Sequence, residues 1–251
     1  MGIGLLTRFR TLRSLRSAQE PELPEVARSV AIIMDGNARW ARRRKLPTAA
    51  GHRAGTRAVR RTVEAAIDLG VETLTLYAFS TENWSRPREE VDLLMEIFGE
   101  TIERELPDLV SQGVRVRFLG RRDRAPEDLR ERMEALEDET RHNERLNLWI
   151  AFDYGGRDEL VQAARRLVES GIDPREVDEN ALAAHLYEPE LPDPDLLIRT
   201  SGELRVSNFL LWQLAYSELI FVETLWPDFG REQLLEALLA YAGRRRRFGG
   251  R

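Results

Sequence analysis

The sequence predicts a single α/β domain: a mostly parallel six-stranded sheet flanked by helices. Three observations predict it. Short apolar runs rich in β-branched residues recur at 30–34, 73–79, 114–119, 146–152, 195–198 and 219–222, the pattern of strands buried on both faces. Stretches of helical spacing separate most of them, and such alternation favours parallel strands with helices on both sides. The 251 residues suit one large domain, and no linker, repeat or low-complexity block divides them. Residues 1–28 read as an N-terminal extension and 29–251 as the domain.

In chain order, residues 1–20 alternate Ile3, Leu5, Leu6, Phe9, Leu12 and Leu15 with Arg8, Arg10, Arg13 and Arg16. This reads first as a frayed extension and second as a helix on an anionic membrane surface. It lacks the apolar block and cleavage site of a signal peptide. Val30–Met34 is the first strand, ending in Asp35-Gly36-Asn37 before a helical start at 38–41. Arg42 to Lys45 form a cationic run, closed by Pro47 and a small-residue loop. A helix covers Gly51–Leu69, with Gly70 at its end. After the strand 73–79 comes the polar run Ser80 to Pro87. The helix from about Arg88 to Ser111 places Val91, Leu94, Met95, Phe98 and Ile102 on one face, and Gly113 stops it. Strand 114–119, a helix over 126–143 and strand 146–152 follow, then Asp153-Tyr154-Gly155-Gly156-Arg157 and a helix to Glu169. A short helix is expected over Val177–Tyr187, an extended segment at Pro192-Asp193-Pro194, and a strand to Ile198. Phe209–Ala215 reads as helical, 219–222 as the last strand, and Arg231–Tyr241 as the last helix.

Composition excludes several classes of function. The formal net charge is −5, which speaks against a general nucleic-acid binder. Lys45 is the only lysine, so the positive charge is almost all arginine. There is no cysteine, hence no disulfide, thiolate metal site or cysteine nucleophile. Three scattered histidines, His52, His142 and His185, make a three-histidine zinc site a poor expectation; His142 and His185 read as surface residues. No apolar run approaches the length of a transmembrane helix, so a soluble, cytoplasmic protein is expected.

The chemistry concentrates where strands end. A strand handing over to a helix exposes backbone N–H groups that favour phosphate. Gly36 allows close approach, and Arg39 adds a multi-donor cation. Asp35 would repel bare phosphate, which argues for Mg²⁺ between them. An Asp-Gly turn that merely caps a helix accounts for the same residues equally well on local evidence. Ligands of parallel sheets bind at the carboxyl ends of strands, so Asp35, Arg39, Glu82, Asn83, Arg86, Arg199 and Arg205 are candidates for one rim. Arginines there call for a polyanion, diphosphate being the economical choice. With apolar strands and an apolar helix face beneath, the substrate is an amphiphile with a charged head and a hydrocarbon tail.

Met34-Asp-Gly-Asn-Ala-Arg-Trp40, Tyr77-Ala-Phe-Ser-Thr-Glu-Asn-Trp84 with Arg86-Pro87, Asp195-Leu-Leu-Ile-Arg-Thr-Ser-Gly-Glu203 and Ser207-Asn-Phe-Leu-Leu-Trp-Gln213 together resemble the cis-prenyltransferases, or isoprenyl transferases, from about Ser29 to the C-terminus. The Asp-Asp-x-x-Asp signature of trans-type synthases is absent. The resemblance implies the same fold and a homodimer. The implied reaction joins isopentenyl diphosphate, with Mg²⁺, to an allylic diphosphate, farnesyl diphosphate being expected, and yields an undecaprenyl-type lipid-carrier precursor. It implies Asp35 as the catalytic carboxylate on the metal and Asn83 as the group that helps remove the proton. Gly36, Asn37, Ala38 and Arg39, with His52, would cradle the allylic diphosphate. Trp40 and Trp84 would flank the isoprenoid, Ser80, Thr81 and Glu82 line the site, and Arg86 hold phosphate. Arg199, Arg205, Val206 and Ser207 would bind isopentenyl diphosphate. Glu218 would be a second metal carboxylate reached from the partner subunit, and Arg247-Phe248-Gly249 would complete the isopentenyl site. Peripheral membrane association would suit release of a lipid product.

One departure is clear. Where the family commonly has an arginine four residues before the histidine, this chain has Thr48, so Arg42 to Lys45 would have to replace that charge or the allylic substrate is held differently. Trp212 and Trp226 read as plain core residues, and the 153–157 turn as a strand–helix junction. Alternate residues Leu146, Leu148, Ile150 and Phe152 are expected on the face that lines the hydrocarbon slot. Leu146 would sit near its floor, and Phe152, if it faces the slot, would shorten the product. Short- or medium-chain synthesis is therefore the alternative. A catalytically silent partner subunit is remote, since Asp35, Asn83, Arg199 and Arg205 are all present.

Overall fold

The computed structural model describes residues 27–244. The amphipathic stretch at 1–20 and the Arg247-Phe248-Gly249 element lie outside them. Six strands form one sheet in the order β3-β4-β2-β1-β5-β6, every pairing parallel. They are β1 Ser29–Ile33, β2 Thr73–Ser80, β3 Val114–Leu119, β4 Leu146–Tyr154, β5 Leu196–Arg199 and β6 Glu218–Phe221. Each continuous apolar run of the sequence became a strand, and β1 and β5 are buried throughout. The strand order reverses at β1, so β2 and β5 flank it with their carboxyl ends on one edge.

The helices are α1 Asn37–Arg43, α2 Thr48–Asp68, α3 Arg88–Ser111, α4 Glu127–Thr140, α5 Gly156–Glu169, α6 Glu179–Ala183 and α7 Arg231–Ala242, with a 3₁₀ turn at Thr81–Ser85. The larger core joins one sheet face to α2, α3, α4 and α7 through residues such as Ala58, Leu94, Leu129 and Leu238. The smaller one, on the other face, centres on Trp149, Tyr154 and Phe209.

Three elements differ from the sequence reading. α2 begins at Thr48, absorbing the expected loop after Pro47. The helix expected over 177–187 shrinks to α6, capped by the Asp178 carboxylate on the Ala181 N–H at 2.7 Å. Residues 209–215 form successive turns instead of a helix, because Ser207, Asn208 and Leu210 take positive φ (46°, 62° and 45°) that no α-helix contains.

α1 is held against α2 by missing side chains. A Cβ at Gly51 would sit 2.2 Å from the Asn37 carbonyl oxygen. Gly51→Ala is therefore expected to lower the urea midpoint, by about 1–3 kcal/mol of overpacking. An unchanged midpoint would contradict this close approach.

Candidate active site

β1 delivers Asp35 to the edge of the sheet. The next residue, Gly36, has φ 114°, and a Cβ there would meet Leu225 Cδ2 at 2.9 Å, so the turn requires glycine. Asp35 accepts a hydrogen bond from Arg199 Nη2 at 2.9 Å and lies 3.3 Å from Arg39 Nη2. The Arg199 side chain is only 4% exposed. Its Nη1 donates to the Arg205 carbonyl at 2.6 Å and to Ser207 Oγ at 2.7 Å. Thr200 Oγ1 accepts from the Asp35 N–H at 2.9 Å and donates to the Asp35 carbonyl at 2.6 Å, pinning the carboxylate's backbone. Arg39 reaches the Ser201 carbonyl at 3.0 Å, Ser201 Oγ, and Glu203 at 3.3 Å. Burial raises the Asp35 pKa, but the hydrogen bond and charge of Arg199, with Arg39, outweigh it and hold the carboxylate ionised below its usual range.

The end of β2 supplies the adjoining segment. The Ser80 N–H donates to Asn83 Oδ1 at 3.1 Å, closing the 3₁₀ turn. Asn208 Nδ2 donates to Glu82 Oε1 at 2.8 Å, linking this turn to the loop that carries Ser207. Burial works against the Glu82 carboxylate, yet the Asn208 bond and nearby donors hold its pKa below normal. Arg86 pairs with Glu90 at 2.9 Å. Trp84 Nε1 donates to Asp153 Oδ1 at 2.7 Å, and Arg124 pairs with the same carboxylate while its guanidinium lies 5.1 Å from the Trp84 ring centre. Asp153 is fully buried at φ 48°, so it staples the 3₁₀ turn to the end of β4.

Behind this rim a cavity of about 1080 Å³, its open mouth included, runs between the sheet, α2 and α3. Met34, Asn37 and His52 line it near the rim. Val59, Val63, Leu76, Ala78, Leu94, Phe98, Leu148 and Ile150 form its walls. Burial pushes the His52 imidazole below its usual pKa, and the Arg86 charge adds to this. His52 Nε2, Asn37 Oδ1 and Arg199 Nε are buried without a hydrogen-bond partner, polar atoms that the folded chain alone leaves unmet.

Residues 33–249 match the family model described as "Putative undecaprenyl diphosphate synthase". The chain belongs to this prenyltransferase family. It is 52% identical over 233 residues to the farnesyl-diphosphate-specific ditrans,polycis-undecaprenyl-diphosphate synthase of Xanthomonas oryzae pv. oryzae, covering 91% of this chain and 90% of that one. It is 49% identical over 244 residues to an isoprenyl transferase of Heliobacterium mobile, covering 93% and 94%. The solved lavandulyl diphosphate synthase of Lavandula x intermedia, in complex with dimethylallyl diphosphate, superposes with TM-score 0.86 at 38% identity, covering 89% of this chain and 98% of that one. The chain is thus a prenyl-transferring enzyme, as its motifs implied.

In this prenyltransferase the structure gathers Asp35, Gly36, Arg39, Arg199, Arg205 and Ser207 at one rim, with Ser80, Thr81, Glu82 and Asn83 on the turn joined to it by Asn208. Val206 packs beside them on the smaller core. Arg205 turns its guanidinium outward to Glu203 at 2.6 Å. Ala38 is exposed in the first turn of α1. Trp40 does not line the cavity: its indole donates to Asp228 at 2.7 Å, under the Arg44 guanidinium at 4.1 Å. Trp84 is likewise outside the lining. Glu218 is not at the rim of its own chain. It pairs in register with Leu196, while Phe221 pairs with Arg199, three residues or roughly 10 Å along the strand, and it bonds Arg244 at 2.6 Å.

Trp226 is core and cavity wall at once, its Nε1 donating to the Gly55 carbonyl at 3.0 Å. Trp212 is half-exposed instead of core. His142 is exposed, and His185 half-buried with Nδ1 2.7 Å from the Ala181 carbonyl. Leu146, Leu148, Ile150 and Phe152 do share one face, but only Leu148 and Ile150 line the cavity. Phe152 lies behind it, 1% exposed against Phe79 and Phe98. Thr200, Ser201, Glu203 and Asn208 had no assigned role in the sequence reading, although all lie within motifs it singled out, and Asp153 was read only as part of a strand–helix junction. No helix among the described residues is long and apolar enough to cross a membrane.

His52 gives a pH test. In the fold its imidazole is held neutral, whereas the unfolded chain titrates near 6.5. Below that pH the unfolded state binds more protons, so this contribution to stability is present above about 6.5 and lost as pH falls toward the folded value. His52→Gln should therefore lose less stability than wild type between about pH 7 and 5, read from paired urea midpoints. Parallel curves would remove the buried neutral imidazole from the account.

Proposed function

We propose that this enzyme condenses isopentenyl diphosphate onto an allylic diphosphate, farnesyl diphosphate in the first instance, to give a Z-polyprenyl diphosphate of undecaprenyl type. The observation that carries it is a rim of arginines around one ionised aspartate, opening directly onto a long apolar cavity. A diphosphate head and a hydrocarbon tail satisfy both parts at once. Phe152 gives no support to a short product, because its ring is packed outside the cavity lining.

Among the described residues no three His, Asp or Glu side chains cluster as a metal cage. One carboxylate at a phosphate rim suits Mg²⁺, which keeps waters and takes substrate phosphate oxygens as ligands. Asp35 would hold it, and the ion would neutralise charge on the leaving diphosphate. Gly36, Asn37, Ala38 and Arg39 receive the allylic diphosphate, with His52 and Arg86 beside it. Arg199, Arg205 and Ser207 hold isopentenyl diphosphate in line, Val206 packing beneath them. Asn83, whose Oδ1 accepts from the Ser80 N–H, would help pass the departing proton to the leaving diphosphate. Arginines already fixed by protein partners stabilise charge with little reorganisation.

Asp35→Ala is expected to fold and to lose about 10²-fold or more in turnover. Incorporation of labelled isopentenyl diphosphate with Mg²⁺ and geranyl, farnesyl or geranylgeranyl diphosphate measures it, with product lengths resolved. Near wild-type elongation by the variant would sink the metal assignment. We also propose a homodimer in which Glu218 and the 247–249 element serve the partner's site. The edge strand β6 supports this, with Leu219 36% and neighbouring Tyr216 72% exposed. Sedimentation should give twice the chain mass, and a fully active monomer at micromolar concentration would refute it.

A further inference from the structure

Asp153-Tyr154-Gly155-Gly156-Arg157 joins β4 to α5, and the turn that carries Asn83 is built on it. In the Thr81–Ser85 turn Asn83 lies between two neighbours that are each held from outside. Glu82 is held by Asn208, and Trp84 by Asp153. Asn208 is itself seated on the start of α5, its carbonyl accepting from the Gly156 N–H at 2.7 Å and its Oδ1 from the Arg157 N–H at 2.9 Å. A Cβ on Gly155 would lie 2.6 Å from Thr81 Oγ1 and 2.9 Å from Asn208 Nδ2, so the turn and the loop rest directly on this backbone.

Asp153 is the point on which Trp84 depends. Its carboxylate is buried at φ 48°, a conformation that Asp and Asn tolerate better than most side chains. Oδ1 accepts from Trp84 Nε1 at 2.7 Å and from Arg124 Nη2, and Oδ2 accepts from Arg124 Nε at 2.8 Å. Phe79 meets the indole edge-on at 5.1 Å. At the other end of the turn, Ser80 and Asn83 bond reciprocally. The direction of the Asn83 amide is therefore set from two fixed points, the end of β2 and the Asp153 carboxylate.

We propose that Asp153 is a positioning residue for proton removal, acting through Trp84 on Asn83. The proposal rests on the part given to Asn83 above. In the condensation the isopentenyl C3=C4 π pair forms the new carbon–carbon bond, and the allylic C–O pair leaves with the diphosphate. The C2–H pair becomes the new double bond, and its proton ends on the departed diphosphate. Only this last transfer needs Asn83 within reach. A loosened turn slows it and leaves the arginines that hold the diphosphates in place.

The test compares single-turnover rates with labelled isopentenyl diphosphate and with the same substrate deuterated at C2, using farnesyl diphosphate and Mg²⁺, alongside steady-state KM values and thermal melts. Asp153→Gly removes the staple and accepts φ 48° without strain. It leaves Arg124 free to turn to water, since that side chain is already 37% exposed. Its rate should fall about tenfold, a modest share of what misplacing a catalytic group costs. Both KM values should stay within about twofold, and the C2 isotope effect should rise above wild type. Trp84→Phe supplies a ring that cannot donate and should do the same, the double variant being no slower than the slower single. Asp153→Asn keeps an oxygen for Trp84 and for Arg124 Nη2 and should recover most of the rate. A folded Asp153→Gly with wild-type rate overturns the proposal. So does a slower one whose isotope effect is unchanged, the mark of a merely structural role, or a change confined to KM. If Asp153→Gly does not fold, Trp84→Phe decides by the same readings. Asn83→Ala separates the two claims: wild-type rate and isotope effect there would remove the Asn83 assignment and this proposal with it. An effect at Asn83 with none at Asp153 overturns this proposal alone.

Discussion

Arg199 is a guanidinium buried at the carboxyl end of a central strand, and much of the site is arranged to make that burial tolerable. A buried cation without partners is costly, so its hydrogen-bonding groups dictate what must surround it. Asp35 comes from the end of β1, and the Arg205 carbonyl and Ser207 hydroxyl from the loop after β5. That loop in turn holds the turn after β2 through Asn208 and Glu82. One side chain therefore fixes three segments that are far apart in sequence. Its Nε remains unmet, which leaves the assembly with a donor to spare where an anionic ligand is expected.

The sheet order explains why these segments meet. β1 is central, β2, β4 and β3 extend to one side, and β5 and β6 to the other. The crossovers leave β1 in opposite directions, so a crevice opens beyond its carboxyl end. Asp35 and Asn83 follow the ends of β1 and β2, and Arg199 is the last residue of β5, so all three face that crevice's edge. The separation of the motifs in sequence is thus set by the crossover lengths.

The central strands β1 and β5 were legible because burial on both faces leaves a continuous apolar run, a signal independent of tertiary partners. The error at 209–215 has the opposite origin. Phe209, Leu210, Leu211 and Leu214 are spaced as on a helix, but Phe209 and Leu210 fill the smaller core from turns of positive φ, a backbone property with no pattern in the sequence. Thr200 and Ser201 lay inside a noted motif, yet their part is to grip the backbone of Asp35 and the guanidinium of Arg39, contacts across more than 160 residues. Asp153 read as a junction residue, and it is one; its bond to Trp84 spans 69 residues. Trp226 was legible as core, but that its other edge faces a cavity follows only from where α2 and α3 stand.

Why the cavity stays open is the remaining structural question, since close packing is the rule and empty apolar space is destabilising. On the opposite face the sheet is filled: Tyr77 stacks on Phe209 at 4.3 Å, and Tyr154 meets both edge-on. On the cavity face α2 is anchored near the rim and again just past its midpoint. Near the rim, Gly51 and Gly55 let it close on Asn37, and Trp226 bonds the Gly55 carbonyl. Beside them Arg53 pairs with Glu100 at 2.9 Å, and farther down Arg60 pairs with Glu105 and Asp108 on α3. Between these anchors the facing residues are medium-sized and apolar, and neither helix can settle inward without breaking an ion pair or driving backbone into Asn37. The helix-to-helix ion pairs, though partly exposed and individually weak as surface bridges, thus act as spacers. Space that a core would normally eliminate is held for a ligand that brings its own apolar surface.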